Sequence, residues 1–148
     1  MTTRFLPVRL VVSIALEMLT LNFLWEMGQA RFYASMKGLP FWSATTLCAR
    51  AAAADVGLLA LCFVGAALMA RDATWPLHPK AVSVATYLVL CLVATIAIER
   101  WALATARWSY GVAMPTIFGV GALPLLQWIV IPALSIFIFR SVFRKTLR

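Results

Sequence analysis

Charged residues are scarce in this sequence. Only 12% of its 148 residues are charged, and five acidic residues stand against 13 lysines and arginines. Soluble domains usually carry about 25% charged residues, so a water-soluble chain of this composition is unable to cover its own surface with charge. The shortage excludes an ordinary soluble domain and indicates that a lipid bilayer is the solvent for much of the chain.

Metal ligands and paired thiols are also in short supply. The chain has one histidine, and its three cysteines, Cys48, Cys62 and Cys91, form no C-x-x-C pair. Cysteine inside an apolar run behaves as a small apolar side chain. We therefore predict no disulfide framework, no metal site and no resident cofactor.

The net charge of +8 raises the question of an acidic partner. The basic residues lie at the ends of apolar runs and form no patch with interleaved aromatic residues, so nucleic acid is excluded. Anionic lipid headgroups are the expected counter-charge, and membrane lipids are the expected partners.

Long apolar runs dominate the rest of the sequence. Four of them, at residues 10–29, 51–70, 81–98 and 116–139, match the ~20 residues that a spanning helix needs. Glu17 interrupts the first run and no small-residue cleavage site follows, which favours a retained span over a signal peptide. Because a backbone in hydrocarbon must satisfy its own hydrogen bonds, we predict an all-α polytopic membrane protein, one four-helix domain over residues 1–148. Residues 31–50 are expected to form a loop with a turn at Gly38 and an interfacial pair at Phe41 and Trp42.

Lysines and arginines divide unequally between the two sides of this topology. Orientation follows the side with more of them near the spans, which predicts cytoplasmic termini in the cell inner membrane. The richer side has eight (Arg4, Arg9, Arg71, Lys80, Arg140, Arg144, Lys145, Arg148) and the poorer side has five (Arg31, Lys37, Arg50, Arg100, Arg107).

Polar residues near the span ends are expected to meet at the outer-leaflet level. Asn22, Glu26 and Gln29 share one face of the first helix at spacings i, i+4 and i+7. Asp55 lies near the outer end of the second span, and Glu99 ends a polar stripe on the third. The stripe is Ser83, Tyr87, Cys91, Thr95 and Glu99, and the other candidate ligand-binding residues are Arg107, Trp108, Tyr110 and the deeper Gln127.

Two interpretations of this set remain open. In the first, the acids line a polar pocket with Glu99 as a general acid, and Arg31, Arg50, Arg100 and Arg107 act as counter-charges or headgroup ligands. In the second, the polar residues only hold the helices together.

A resemblance supports the first interpretation. Glu99, the element Trp108-Ser109-Tyr110, Gly119 and Gly121 precede Leu123-Pro124-Leu125-Leu126-Gln127 and Pro132. This third of the chain resembles the integral-membrane lycopene cyclase domain and, more loosely, the related carotenoid hydratases. The resemblance implies a shared architecture more strongly than a shared chemistry, which for the family is the cyclisation of a polyene, an isoprenoid, by a proton donor near an apolar pocket. The family's acidic pair falls on Leu126 and Gln127, which leaves Glu99 as the matching acid.

The sequence thus predicts an enzyme or binder acting on an apolar lipid or isoprenoid. The alternative is a non-catalytic membrane subunit or homo-oligomer, for which the small residues of the second span (Ala51–Ala54, Gly57, Gly65, Ala66) would provide the packing surface. A small transporter ranks last, because no continuous polar face crosses all depths. Both Glu26 and Glu99 are followed by an arginine and aromatic residues, which either a two-plus-two repeat or chance would explain.

Overall fold

Four helices form the bulk of the computed structural model, which describes residues 8–146. They are α1 (Val8–Gln29), α2 (Phe41–Ala70), α3 (Ala81–Ala104) and α4 (Ala122–Thr146). Each is long and apolar enough to cross a membrane. Consecutive helices pack against each other, and α4 returns to pack against α1. The predicted bundle of four membrane helices is confirmed; Arg4 and Arg148, which entered the charge count, lie outside the described residues.

Four helix ends differ from the sequence prediction, one of them the end of α4, at Thr146 instead of residue 139. Helix α2 begins at Phe41 instead of residue 51, so the expected interfacial loop at Phe41 and Trp42 is already helical. Pro40 sets this start, because its ring fixes φ and it lacks the N–H that a helix interior needs. Helix α3 continues to Ala104, six residues beyond the predicted end, and α4 starts at Ala122 instead of residue 116.

The late start of α4 results from a small hairpin. Strands β1 (Thr116–Ile117) and β2 (Val120–Gly121) pair in antiparallel register, with Ile117 opposite Val120. Phe118 and Gly119 form the two-residue loop with φ of 50° and 79°. Positive φ at both positions is the geometry of a type I′ turn, which favours asparagine or glycine, so a phenylalanine gives no sequence signal for it.

The loops after α1 and α3 are joined by backbone hydrogen bonds. Tyr33 and Tyr110 form an isolated antiparallel bridge. Gly111 N donates to Phe32 O at 2.7 Å, and Ala34 N donates to Ser109 O at 2.9 Å. A Cβ on Gly111 would lie 3.1 Å from Phe32 O, so the close approach of the two loops requires glycine there.

The opposite end of the bundle is closed by aromatic packing. Trp75, in the link between α2 and α3, is 2% exposed, and its ring centroid lies 5.5 Å from that of Tyr87. The predicted stripe on α3 does face the interior: Ser83, Tyr87, Cys91, Thr95 and Glu99 are all buried. The four helices therefore enclose an apolar core at this end and polar residues at the other.

Gly111→Ala is expected to lower the free energy of unfolding by about 1–3 kcal/mol, because the added Cβ forces the two loops apart. Gly57→Ala is the matched control. Gly57 is inside α2, and nothing lies within 4 Å of a Cβ built on it. Alanine there is therefore expected to raise the free energy of unfolding by about 0.5–1 kcal/mol. Unfolding in detergent by added SDS measures both. Equal effects of the two variants would contradict the described junction of the loops.

Candidate functional site

Gln127 connects three helices at one end of the bundle. Its side chain on α4 is 1% exposed. Its Nε2 donates to Asn22 Oδ1 on α1 at 2.9 Å and to Asp55 Oδ2 on α2 at 3.0 Å. Its Oε1 accepts from Gln29 Nε2 at 3.1 Å. Both hydrogens and the oxygen of one amide are therefore bound, each to a different side chain.

The connections continue along α1. Gln29 Nε2 also donates to Glu26 Oε1 at 2.7 Å, and Gln29 Oε1 accepts from Trp25 Nε1 at 3.2 Å. Asn22 Nδ2 donates to Met18 O at 2.8 Å. Five predicted site residues thus form one hydrogen-bonded group, which we name the Gln127 network: Asn22, Glu26, Gln29, Asp55 and Gln127.

Glu99 is the centre of a second group. Its carboxylate, 7% exposed, accepts from Trp108 Nε1 at 3.2 Å and from the hydroxyl of Tyr110. The same Tyr110 oxygen accepts from Gly121 N at 2.8 Å. Glu99, Trp108 and Tyr110, here called the Glu99 cluster, therefore link the end of α3 to the loop after it and to the hairpin before α4.

Tyr33 lies beside both groups. Its ring centroid is 5.6 Å from that of Tyr110, and it is close enough to Glu99 and Glu26 for their charges to act on its hydroxyl. Burial raises the pKa of Tyr33, and the negative charges of Glu99 and Glu26 raise it further. Burial and the hydrogen bond to Glu99 also raise the pKa of Tyr110. Both phenols therefore keep their protons and act as donors.

Three of the four arginines expected to pair with these acids bind elsewhere. The Arg107 guanidinium lies 4.8 Å from the ring centroid of Trp101, and that of Arg31 lies 4.9 Å from the centroid of Phe32. Arg100 Nη2 donates to Phe118 O at 3.3 Å. The donors found on Glu26, Asp55 and Glu99 within residues 8–146 are neutral amide, indole and phenol groups. Of the predicted site residues, Arg107 alone stands outside the two groups.

A cavity of about 610 Å³ lies between the two joined loops, and we name it the loop cavity. Tyr33 and Tyr110 contribute to its wall, together with Arg31, Lys37, Met36 and Val112. Its volume is in the usual range of small-molecule sites, about 300–1,000 Å³. Glu99 is not among the lining residues, so a molecule in this cavity meets Tyr33 and Tyr110 and not the carboxylate.

A second cavity of about 180 Å³ lies among α1, α2 and α4, towards the other end. None of the described residues around it is acidic, and most are aliphatic. Met18 and Val56 in its wall are close in sequence to Asn22 and Asp55. The Gln127 network therefore lies beyond one end of this apolar space, on the side of the loop cavity.

Tyr33, Lys37 and Trp25 are site residues that the sequence reasoning did not select. The only signal for Tyr33 was the similarity of Arg31-Phe32-Tyr33 to Arg107-Trp108-Ser109-Tyr110. The structure brings these two segments together at Tyr33 and Tyr110, while the repeat itself stays a prediction. No three histidine, cysteine or acidic side chains converge as metal ligands in the described part of the chain.

No family model, curated protein or solved structure matches this chain. The function is therefore inferred from the geometry of the two groups and the loop cavity.

The free energy of unfolding is expected to fall as the pH rises above about 10, the ordinary pKa of tyrosine. A pKa raised in the folded state means that the folded protein holds these protons more tightly than the unfolded chain, so the added stability is complete below that pH and is lost above it. The Tyr33→Phe Tyr110→Phe double variant should lose less stability between about pH 8 and about pH 11.

Trp108→Phe is the control for this experiment, because it also removes a donor to Glu99 but carries no titratable group. It should keep the full alkaline loss, as measured by thermal melting in detergent. A double variant as sensitive to alkali as the wild type would rule out Tyr33 and Tyr110 as its source.

Proposed function

We propose that the protein binds an apolar lipid or isoprenoid whose polar end lies in the loop cavity. The observation that carries this proposal is the pair of phenols, Tyr33 and Tyr110, in the wall of a cavity at the end of four membrane helices. A ligand there would have its polar group at the level of the helix ends and its apolar part beside the bundle. This position suits an amphiphilic molecule better than a water-soluble one.

The hydrogen bonds behind the cavity support a defined binding geometry. Tyr110 is held by Glu99 and by Gly121 N, and Tyr33 is held by the backbone bridge to Tyr110. Side chains fixed in this way lose little conformational freedom when a ligand binds. The cavity wall is therefore suited to recognition before any ligand arrives.

The same arrangement gives Glu99 an indirect part in any conversion of the ligand. Tyr110 would turn its hydroxyl hydrogen from Glu99 to the ligand and give it that proton, while Glu99, protonated beforehand, would pass its own proton to the phenol oxygen. Glu99 is then a positioning residue, whereas the resemblance to lycopene cyclases implied direct donation. Gln127 would stabilise the helices and take no part in the chemistry.

We place the loop cavity on the outer side of the inner membrane, with both termini in the cytoplasm. Support comes from the eight basic residues on the opposite side against five on this side. A cysteine introduced at Ser109 should react with a membrane-impermeant thiol reagent in intact cells. Protection of that cysteine until the cells are broken would reverse the orientation.

A non-catalytic subunit is the second candidate, and the surface of α2 favours it. Ala53, Ala54, Gly57 and Ala60 are exposed, and small residues allow a second helix to approach closely in lipid. Other small residues of α2 are already used inside the bundle. Ala52 and Ala66 are fully buried, and Gly65 faces Leu90.

Native mass spectrometry of the protein extracted from its own membranes tests the first candidate. One lipid-sized molecule per chain is expected. The Tyr33→Phe Tyr110→Phe double variant should retain about three- to tenfold less of it, because Tyr110 loses the hydrogen bonds to Glu99 and Gly121 that hold this part of the cavity wall. Trp108→Phe, whose side chain does not line the cavity, should retain the wild-type amount.

Wild-type protein without any bound molecule would refute lipid binding, and full retention by the double variant would refute the part that Tyr33 and Tyr110 have in it. The same spectra report the number of subunits. A stable oligomer or a bound partner chain in place of a lipid would favour the scaffold.

A further inference from the structure

We propose that the loop cavity selects lipids whose headgroup carries a negatively charged phosphate. This inference rests on the proposed function, since it names the class of lipid that the same site takes. It is supported by the charge, the composition and the position of the cavity wall.

The charged residues of the wall are both cations. Arg31 and Lys37 line the cavity, and none of its described lining residues is acidic. The guanidinium of Arg31 is held over Phe32, so it is fixed near the cavity without losing its charge to a carboxylate. Lys37 makes no side-chain hydrogen bond or ion pair within residues 8–146, and its ammonium group is therefore available to an anion. Two such cations favour a phosphate over a neutral headgroup.

The nearby acids do not cancel this preference. Glu99 is not among the residues that line the cavity, and its Oε2 already accepts hydrogen bonds from Tyr110 and Trp108. Glu26 is bound by Gln29 inside the bundle. A phosphate in the cavity would therefore meet the arginine and the lysine before any carboxylate.

Two backbone N–H groups of the cavity wall are also available as hydrogen-bond donors to a phosphate. Val112 and Ala113 line the cavity, and their N–H groups make no backbone hydrogen bond in the described structure. Phosphate oxygens accept readily from backbone N–H groups in irregular turns. On either side of them, Gly111 N donates to Phe32 O at 2.7 Å and Met114 N donates to Gly111 O at 3.0 Å. These two hydrogen bonds fix the turn.

The position of the cavity favours a lipid over a soluble phosphate compound. The loops that form it connect directly to the ends of α1, α2 and α3, which are membrane spans. Met36 and Val112 give its wall an apolar part that a soluble phosphate would leave unused. We therefore commit to the phosphate of a membrane lipid as the occupant.

The test uses the full-length protein in nanodiscs made of phosphatidylglycerol and phosphatidylcholine. Native mass spectrometry should detect retained phosphatidylglycerol on the wild type, in preference to phosphatidylcholine. The Arg31→Gln Lys37→Gln double variant should retain about tenfold less phosphatidylglycerol, because two charge-assisted contacts are lost. Lys37→Arg alone should retain the wild-type amount, since it keeps the charge.

Arg71→Gln Lys80→Gln is the matched control, which removes two exposed cations that do not line the cavity. It should retain phosphatidylglycerol as the wild type does. Melting temperatures of all variants establish that the bundle is folded, as expected for exposed side chains. An additional arm with inorganic phosphate should leave the retained lipid unchanged.

The outcomes separate this inference from the function on which it rests. Equal retention of the two lipids by the wild type, or undiminished phosphatidylglycerol on the double variant, would overturn the charge selection and leave lipid binding intact. Displacement of the lipid by inorganic phosphate would overturn the choice of a lipid source. Wild-type protein that retains no lipid from any nanodisc would overturn both proposals.

Discussion

A polar side chain among membrane helices has to find its partners within the protein. An ionisable group at the middle of a span costs about 2.5–3.5 kcal/mol on insertion scales, and hydrocarbon offers no hydrogen bonds in exchange. In this protein the amide of Gln127 meets that constraint for three helices at once, because it binds Asn22, Asp55 and Gln29. Through this one side chain, α4 is hydrogen-bonded to Asp55 of α2 across the bundle. The packing of the polar half of the bundle depends on it.

At the end of the bundle, the loops provide the hydrogen-bond partners that a buried polar side chain needs. Glu99 ends the buried stripe of α3, where the phenol of Tyr110 and the indole of Trp108 reach it. These bonds place Tyr110 against Tyr33, and the backbone bridge between the two tyrosines forms one wall of the loop cavity. The phenols therefore separate a buried acid from a cavity whose own charged residues are cations. The proposed ligand site shares these residues with the structural network, so the two interpretations of the polar set are compatible.

Much of this architecture could be predicted because hydrocarbon imposes simple rules. The number of spans follows from the apolar runs, and the i, i+4, i+7 spacing of Asn22, Glu26 and Gln29 puts them on one face of α1. The early start of α2 at Phe41 could not be read in this way, because hydropathy marks the part of a helix in the membrane and not its full length. The hairpin at Phe118 was hidden by an unfavourable turn residue. The partners of the acids were also hidden, since arginine is the obvious counter-charge in a sequence, whereas a neutral donor is recognised only by its position.

A double-mutant cycle between Asn22 and Gln127 measures the central contact directly. The free energy of unfolding would be determined for Asn22→Ala, Gln127→Ala and the double variant, by SDS titration in detergent. A direct hydrogen bond between buried side chains in a membrane protein predicts a coupling energy of about 0.5–2 kcal/mol. The same cycle between Asn22 and Trp108, which belongs to the Glu99 cluster, should give no coupling energy. Additive effects of Asn22→Ala and Gln127→Ala would contradict the contact and, with it, the polar meeting point of the helices.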